Sequence, residues 1–445
     1  NDGGTGHGDA PQIDRGLFLR VRRGLKSRTV SLKLTRSGRN MKTFDENATG
    51  PLAGIRVLDL TRLVAGNMLT LQLADMGADV IKIEPTGKGD PLRAWTENGI
   101  EAFWKVYCRN KRSLAMNLRA EGAVEALLKL VEGADVLVEN YRPGRMEEFG
   151  LGPDVLAARN PKLVLVRVSG FGQTGPYRER PGFGSLVEAM SGFASRNGFP
   201  DRPPLLPPLA LADMIAGLQG AFATMVALRE VESKGGANGG RGQVIDLSLL
   251  EPILATLGPE AYTYELTGQV KERVGNRSNT SAPRDVYATR DGGAISLSAS
   301  VQAMAERLFR VIGREDMITD PKFRTNTDRV RNRDEVNDIV AAWIVQRDRD
   351  EVLAIFHEAG VTGAPVYNAG DIMADPHVRE REVLVEMPDE ETETATHHNI
   401  HPRLSRTPGG FRRPAPTLGQ HTEDVLSEAG FDDDEISALR SGGVI

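Results

Sequence analysis

Between residues 55 and 84 the alternation of apolar and polar positions spells out two strands and a helix. Ile55-Arg56-Val57-Leu58-Asp59-Leu60 reads as a short β-strand, and Val64 to Met76 as a helix with a small-residue face. Gly77-Ala78 then turns the chain into a second strand, Asp79-Val80-Ile81-Lys82-Ile83-Glu84. Strand, helix and strand in this span form a βαβ unit, whose right-handed crossover makes the strands parallel neighbours. The strands are too continuously apolar for a sheet with one wet face, so helices are expected on both sides. Ligands of such sheets sit beyond the carboxyl ends of the strands. That rule points to residues 61–66 and 84–90.

The same alternation continues. The pattern predicts a basic turn at Cys108-Arg109-Asn110-Lys111-Arg112-Ser113 leading into a short apolar strand, and a helix over 121–131. It also predicts a strand over 135–139 with the exit loop Asn140-Tyr141-Arg142-Pro143-Gly144, a helix over 153–159 and a strand over 163–168. Ser169 to Pro176 is too rich in glycine to continue a regular element. A short helix over 185–193 follows the constrained loop 180–184, and prolines at 204, 207 and 208 delay the next element. From Asp213 the pattern is one long helix, with Asp213 expected as its N-cap. Residues 244–250 read as a strand or strand–helix junction, and a helical run past Pro252 reaches about Thr267. Paired short strands over 286–298 and helices over 301–313, 331–346 and 349–359 form a smaller unit, and the tail is helical over 423–429 and 435–440. These alternations argue for an α/β protein.

Composition narrows the function. A chain of 445 residues has room for two domains and a large core. Its net charge of −6 argues against a general nucleic-acid binder but leaves room for a local basic pocket. The lone Cys108 forms no internal disulfide and reads as structural, and the seven histidines are spread too loosely for a metal site. No run approaches eighteen uninterrupted apolar residues, so a cytoplasmic protein without a membrane span is expected. Residues 1–41 are basic and acid-poor. They read as an extraneous or disordered extension before a start at Met41, with organelle targeting or a functional arm as alternatives.

Two sets of residues carry candidate chemistry. Arg109, Lys111 and Arg112 could hold phosphates, against the simpler reading of a solvated charge run. Neither GxGxxG nor GxxxxGK[ST] is present to support a dinucleotide or nucleoside triphosphate there. Asp213, an anionic carboxylate at a helix start, is either a structural cap or a covalent nucleophile.

The ordered motifs resolve much of this. PLAGIRVLDL at 51–60, ADMGADVIKIEP at 74–85, NKRS at 110–113 and ADVLVENYRPG at 134–144 are followed by SGFGQTGPYRERPGF at 169–183 and LAD at 211–213. GRGQVIDLSLLE at 240–251, VGNRSNTSAPRDVY at 274–287 and LGQHTEDVL at 418–426 complete the series. Over about 51–429 the chain closely resembles the class III CoA-transferase family, also called CaiB/BaiF. The resemblance implies a Rossmann-like large domain over 42–245, completed by a return linker and C-terminal part at 366–445. It further implies a linker over 246–267, a smaller mixed α/β domain over 268–365, and a homodimer of interlocked rings.

The resemblance also implies that CoA moves from an acyl-CoA to an organic carboxylate through an aspartyl intermediate on Asp213. CoA is then substrate and product, with no tightly bound cofactor and no metal. The CoA contacts it suggests are Arg62, Leu63, Val64 and Ala65 after the first strand, Glu84 and Arg93 after the second, the cluster Arg109, Lys111 and Arg112, and Asn140, Arg142 and Arg145. Departures from the family's subtypes are informative. Val64 replaces the glutamine of formyl-CoA transferases, and Arg277-Ser278-Asn279-Thr280-Ser281 replaces their glycine run, which argues against oxalate. Arg277 is a candidate for pairing with a distal carboxylate, and equally a surface or CoA-facing arginine. An α-methylacyl-CoA racemase is the enzymatic rival, yet Phe183 stands where its proton-exchanging histidine would be, with Gly184 beside it. A noncatalytic CoA-binding protein is the third reading.

Overall fold

A computed structural model describes residues 41–233 and 240–445, so the expectations for residues 1–40 lie outside the described residues. Six strands, β1 (Arg56–Asp59), β2 (Asp79–Glu84), β3 (Lys111–Ala115), β4 (Val136–Glu139), β5 (Val164–Ser169) and β6 (Val244–Ser248), form one parallel sheet in the order β3-β2-β1-β4-β5-β6. This is the doubly wound order, with its reversal between β1 and β4. Register explains why the strands are apolar throughout. Val57 pairs with Val80 and Val136, while Leu58 pairs with Ile81 and Leu137, so neighbouring rows point to opposite faces.

The valine row packs with the helices Ala65–Asp75 and Leu211–Glu232, and the leucine and isoleucine row packs with Ala123–Glu132, Thr422–Glu428 and Asp433–Ser441. Each such side chain, once fully buried, contributes roughly 1.5–3 kcal/mol. On the valine face, small residues bring two helices together. A Cβ on Gly217 would lie 2.7 Å from Met68 Cβ and 2.8 Å from the Ala65 carbonyl oxygen, and one on Gly220 would lie 2.5 Å from Leu69 Cδ1. Leu211–Glu232 is therefore seated directly against the start of Ala65–Asp75.

A second core, from Ala282 to Val361, joins a three-stranded antiparallel sheet to the helices Gln302–Val311, Arg333–Ile344 and Arg349–Ala359. Its strands are β7 (Arg284–Ala288), β8 (Ala294–Ser298) and β9 (Gly363–Pro365).

Several elements differ from the sequence expectation. Lys111 and Arg112 belong to β3, and the turn is made one residue earlier by Asn110 in the left-handed region at φ +63°. The long helix starts at Leu211, so Asp213 lies in its first turn and Ala210 occupies the cap position. The helical run after residue 250 is two helices, Leu250–Thr256 and Glu260–Thr267. A hairpin of β10 (Leu384–Asp389) and β11 (Glu393–His398) was not expected.

Candidate functional site

The loops after β1 and β4 meet where the strand order reverses. Asn140 ties them together, its Oδ1 accepting from Arg62 N at 2.9 Å and its Nδ2 donating to Arg62 O at 2.8 Å. Leu63 stands at φ +63°, a strained backbone for a branched side chain, and its N–H is held by Asp90 Oδ1 at 2.9 Å. That bend turns the Ala65 N–H toward the carboxylate of Asp213, which it hydrogen-bonds.

Beneath the loop lies a wholly buried charge cluster. Asp59, Lys82 and Lys111 are inaccessible, and Asp90 nearly so. Lys82 Nζ lies 3.2 Å from Asp59 Oδ1 and 3.1 Å from Asp90 Oδ2, and Lys111 Nζ lies 3.3 Å from Asp59 Oδ2. Burial alone would raise the Asp59 pKa, but the two ammonium groups and the hydroxyls of Thr61 and Thr70 bring it down to about 2. The cluster braces the loop from below and presents no charge to solvent.

A cavity of about 280 Å³ opens over these loops. Asp213, Arg62, Leu63, Ala65, Asn140 and Arg142 line it, together with Arg178, Arg180, Phe183 and the β5 exit at Ser169 and Gly170. Asp213 is its one carboxylate. Burial first, and the charge of Glu188 second, push the Asp213 pKa up to about 6 against the opposing effect of its backbone N–H partners. Glu188 is 2 % exposed, and its Oε1 accepts from Ala212 N at 3.0 Å. Among the described residues, no carboxylate pairs with Arg62, Arg142 or Arg180; Arg62 and Arg180 lie over the rings of Tyr141 and Tyr177. The cavity thus joins a poised carboxylate to a rim of free guanidinium groups.

Other residues suggested by the sequence lie elsewhere. Arg109 is fully buried, donating to both Asp75 oxygens (Nε 3.1 Å, Nη2 2.6 Å) and contacting His397 and His398 of the hairpin. Burial and the Arg109 charge together push both histidines down to about 4. Arg112 pairs with Asp79 and Glu428, beside the first residues of β1 and β2 and thus at the end of the sheet opposite the cavity. Lys111 is consumed in the buried cluster. The three cations therefore hold the fold together, because each already has an acid within hydrogen-bond reach and little or no open surface.

Glu84 and Arg93 pair with each other, Arg93 lying 3.6 Å from the centre of the Trp104 ring. Val64 packs on Leu92, Trp104 and Cys108. Arg145 pairs with Glu148 and covers Phe149. Arg277 is held by Asp285, Asp334 and Asp338, which removes it as a free carboxylate clamp. Arg178, Arg180 and Ser169 were missed as site residues, although they follow β5, and the strand-end rule applied to that strand would have found them.

The comparisons agree with this geometry. The sequence model of CoA-transferase family III matches residues 52–422. The chain is 38% identical over 399 residues to the succinyl-CoA–D-citramalate CoA-transferase of Chloroflexus aurantiacus, covering 89% of this chain and 98% of that protein. It is 31% identical over 405 residues to the human succinyl-CoA:glutarate CoA-transferase, covering 90% and 91%. Among solved structures, a CaiB/BaiF family protein from Brucella suis superposes with a TM-score of 0.74 at 30% identity, covering 86% of this chain and all of that one.

Proposed function

The chain belongs to CoA-transferase family III and is an enzyme that moves CoA from an acyl-CoA to a free acid; we propose that Asp213 is its covalent nucleophile and that both acids are dicarboxylic. The observation that carries this reading is the cavity itself, in which Asp213 is the one carboxylate and free guanidinium groups line the rim. The Asp213 carboxylate attacks the donor's thioester carbonyl, forming an acyl–aspartyl anhydride and releasing CoA thiolate. The thiolate attacks the aspartyl carbonyl, giving an aspartyl–CoA thioester and the free donor acid. The acceptor carboxylate then displaces CoA to form a second anhydride, and the thiolate takes the acceptor acyl group from it, regenerating Asp213. Each step exchanges one acyl bond for another, so thioester energy is conserved.

Arg62, Arg142 and Arg180 replace the buried Arg109, Lys111 and Arg112 as the proposed contacts for CoA phosphates and substrate carboxylates. None of the arginines is among the groups that shift Asp213. They hold anions at a distance and leave the nucleophile's own charge unpaired. The dicarboxylic assignment rests on relatives named for succinyl-CoA with D-citramalate, L-malate and glutarate. A racemase would need a second proton-exchanging group, and the lining residues include no histidine and no other carboxylate.

The test is a panel of acyl-CoA donors and dicarboxylic acceptors with total thioester measured, followed by rapid quenching with hydroxylamine and peptide mass analysis. New CoA esters without net hydrolysis, and modification at Asp213 alone, are expected. Normal turnover by folded Asp213→Asn, checked for deamidation, would sink the reading.

A further inference from the structure

We propose that Gly184 is a positioning residue for Asp213: the side chain it lacks leaves the seat in which the nucleophile's Oδ2 rests. A Cβ built on Gly184 would stand 2.0 Å from Asp213 Oδ2 and 3.2 Å from its Cγ. The backbone gives no other reason for glycine here. Gly184 is buried, is the first residue of the helix Gly184–Met190, and is not in the left-handed region that favours glycine. In a helix, glycine is less favourable than alanine by roughly 0.5–1 kcal/mol. Space for the carboxylate is what it provides.

The surroundings keep this seat in place. Gly182, two residues earlier, packs so tightly on Gly170 that a Cβ there would lie 2.5 Å from the Gly170 Cα, so the loop cannot retreat. One turn later, Glu188 Oε1 accepts the N–H of Ala212, the residue before the nucleophile. The helix Gly184–Met190 thus touches consecutive residues of the helix Leu211–Glu232, at 212 through a hydrogen bond and at 213 through a seat. With Oδ2 against Gly184 there is no room for a substituent on that oxygen, so attack on a thioester comes from Oδ1.

This inference rests on Asp213 being the nucleophile, and its test separates the two claims. In Gly184→Ala the carboxylate is the far end of a side chain and swings into the cavity while the backbone stays. A displacement of about 1 Å costs on the order of 100-fold, so kcat should fall by about that factor while the donor KM changes less than about threefold. Thermal unfolding gives an activity-independent readout. In the Asp213→Ala background the obstructing oxygen is gone, so Gly184→Ala should raise Tm there, and lower it or leave it unchanged in the parent. If Gly184→Ala fails to fold, folding of the Asp213→Ala/Gly184→Ala pair establishes the same collision. Unchanged kcat, equal Tm shifts in the two backgrounds, or a double variant that also fails to fold would overturn the proposal. Turnover by Asp213→Asn would instead overturn the nucleophile assignment and leave the Tm coupling intact.

Discussion

At the scale of single residues, the charge state of Asp213 governs the chemistry. The anion attacks, and the folded protein holds its pKa near 6, raised by burial and then by Glu188. Below that value the group is protonated and inert, so kcat/KM for the donor should rise as pH climbs through about 6 and level off above it. Arg62, Arg142, Arg178 and Arg180 share the cavity but stay charged throughout this range. Glu188→Gln keeps an oxygen for the Ala212 N–H and removes the negative charge. Its acid limb should therefore move to lower pH with the fold intact. A limb that stays in place in the variant would show that Glu188 does not tune the nucleophile.

The arginines divide by the same reasoning, because a free guanidinium and a buried ion pair fail differently. Arg142→Ala should raise the donor KM on the order of tenfold with kcat retained, the signature of lost uniform binding. Arg109→Ala leaves Asp75 buried without its partner, and breaking such a pair costs roughly 3–5 kcal/mol. A denaturant titration should record that loss while the remaining folded enzyme keeps its donor KM. The reverse pattern would return Arg109 to the phosphate site.

At the scale of elements, strands and helices with an unbroken apolar period were legible, and polar segments that fold inward were not. β2 and the helices Pro153–Arg159 and Arg349–Ala359 have the bounds that their pattern predicts. The parallel sheet followed from the apolar continuity of Val57-Leu58 and Val80-Ile81. Lys111 and Arg112 misled because a charged run ordinarily means solvent, whereas their acids, Asp59, Asp79 and Glu428, lie far away in sequence. The hairpin from Leu384 to His398 was hidden for a similar reason. Its strands carry Glu386, Thr394, Thr396 and two histidines, and its cover is supplied partly by Arg109. Asp213 was legible as a residue but not as a position. The helix begins two residues before it, at Leu211, where no capping side chain marks the start. Gly184 could be noted in the sequence as a departure from the family, but its use depends on a distance that only the fold supplies.

At the scale of the whole molecule, the helix Leu211–Glu232 is apolar all round, long enough and hydrophobic enough to cross a bilayer on composition alone. It packs on the sheet through its small residues, Ala212, Ala216, Gly217, Gly220 and Ala221. Its large ones face away: Leu218, Phe222 and Val226 are 47%, 64% and 54% exposed. Leu186, Met190 and Leu254 are exposed on neighbouring helices of the same face. Apolar patches of this kind mark a contact surface. A second copy of the chain is the proposed cover, in keeping with the homodimer that the family resemblance implies. Light scattering should give twice the chain mass at micromolar concentration. A Phe222→Glu/Val226→Glu variant, which puts two charges on that face, should lose most of its soluble dimer; because interlocked chains have no independent folded monomer to fall back on, it should also lose thermal stability and activity together. A wild-type monomer with full transferase activity would remove the dimer from the account, and the exposed face would then need another occupant.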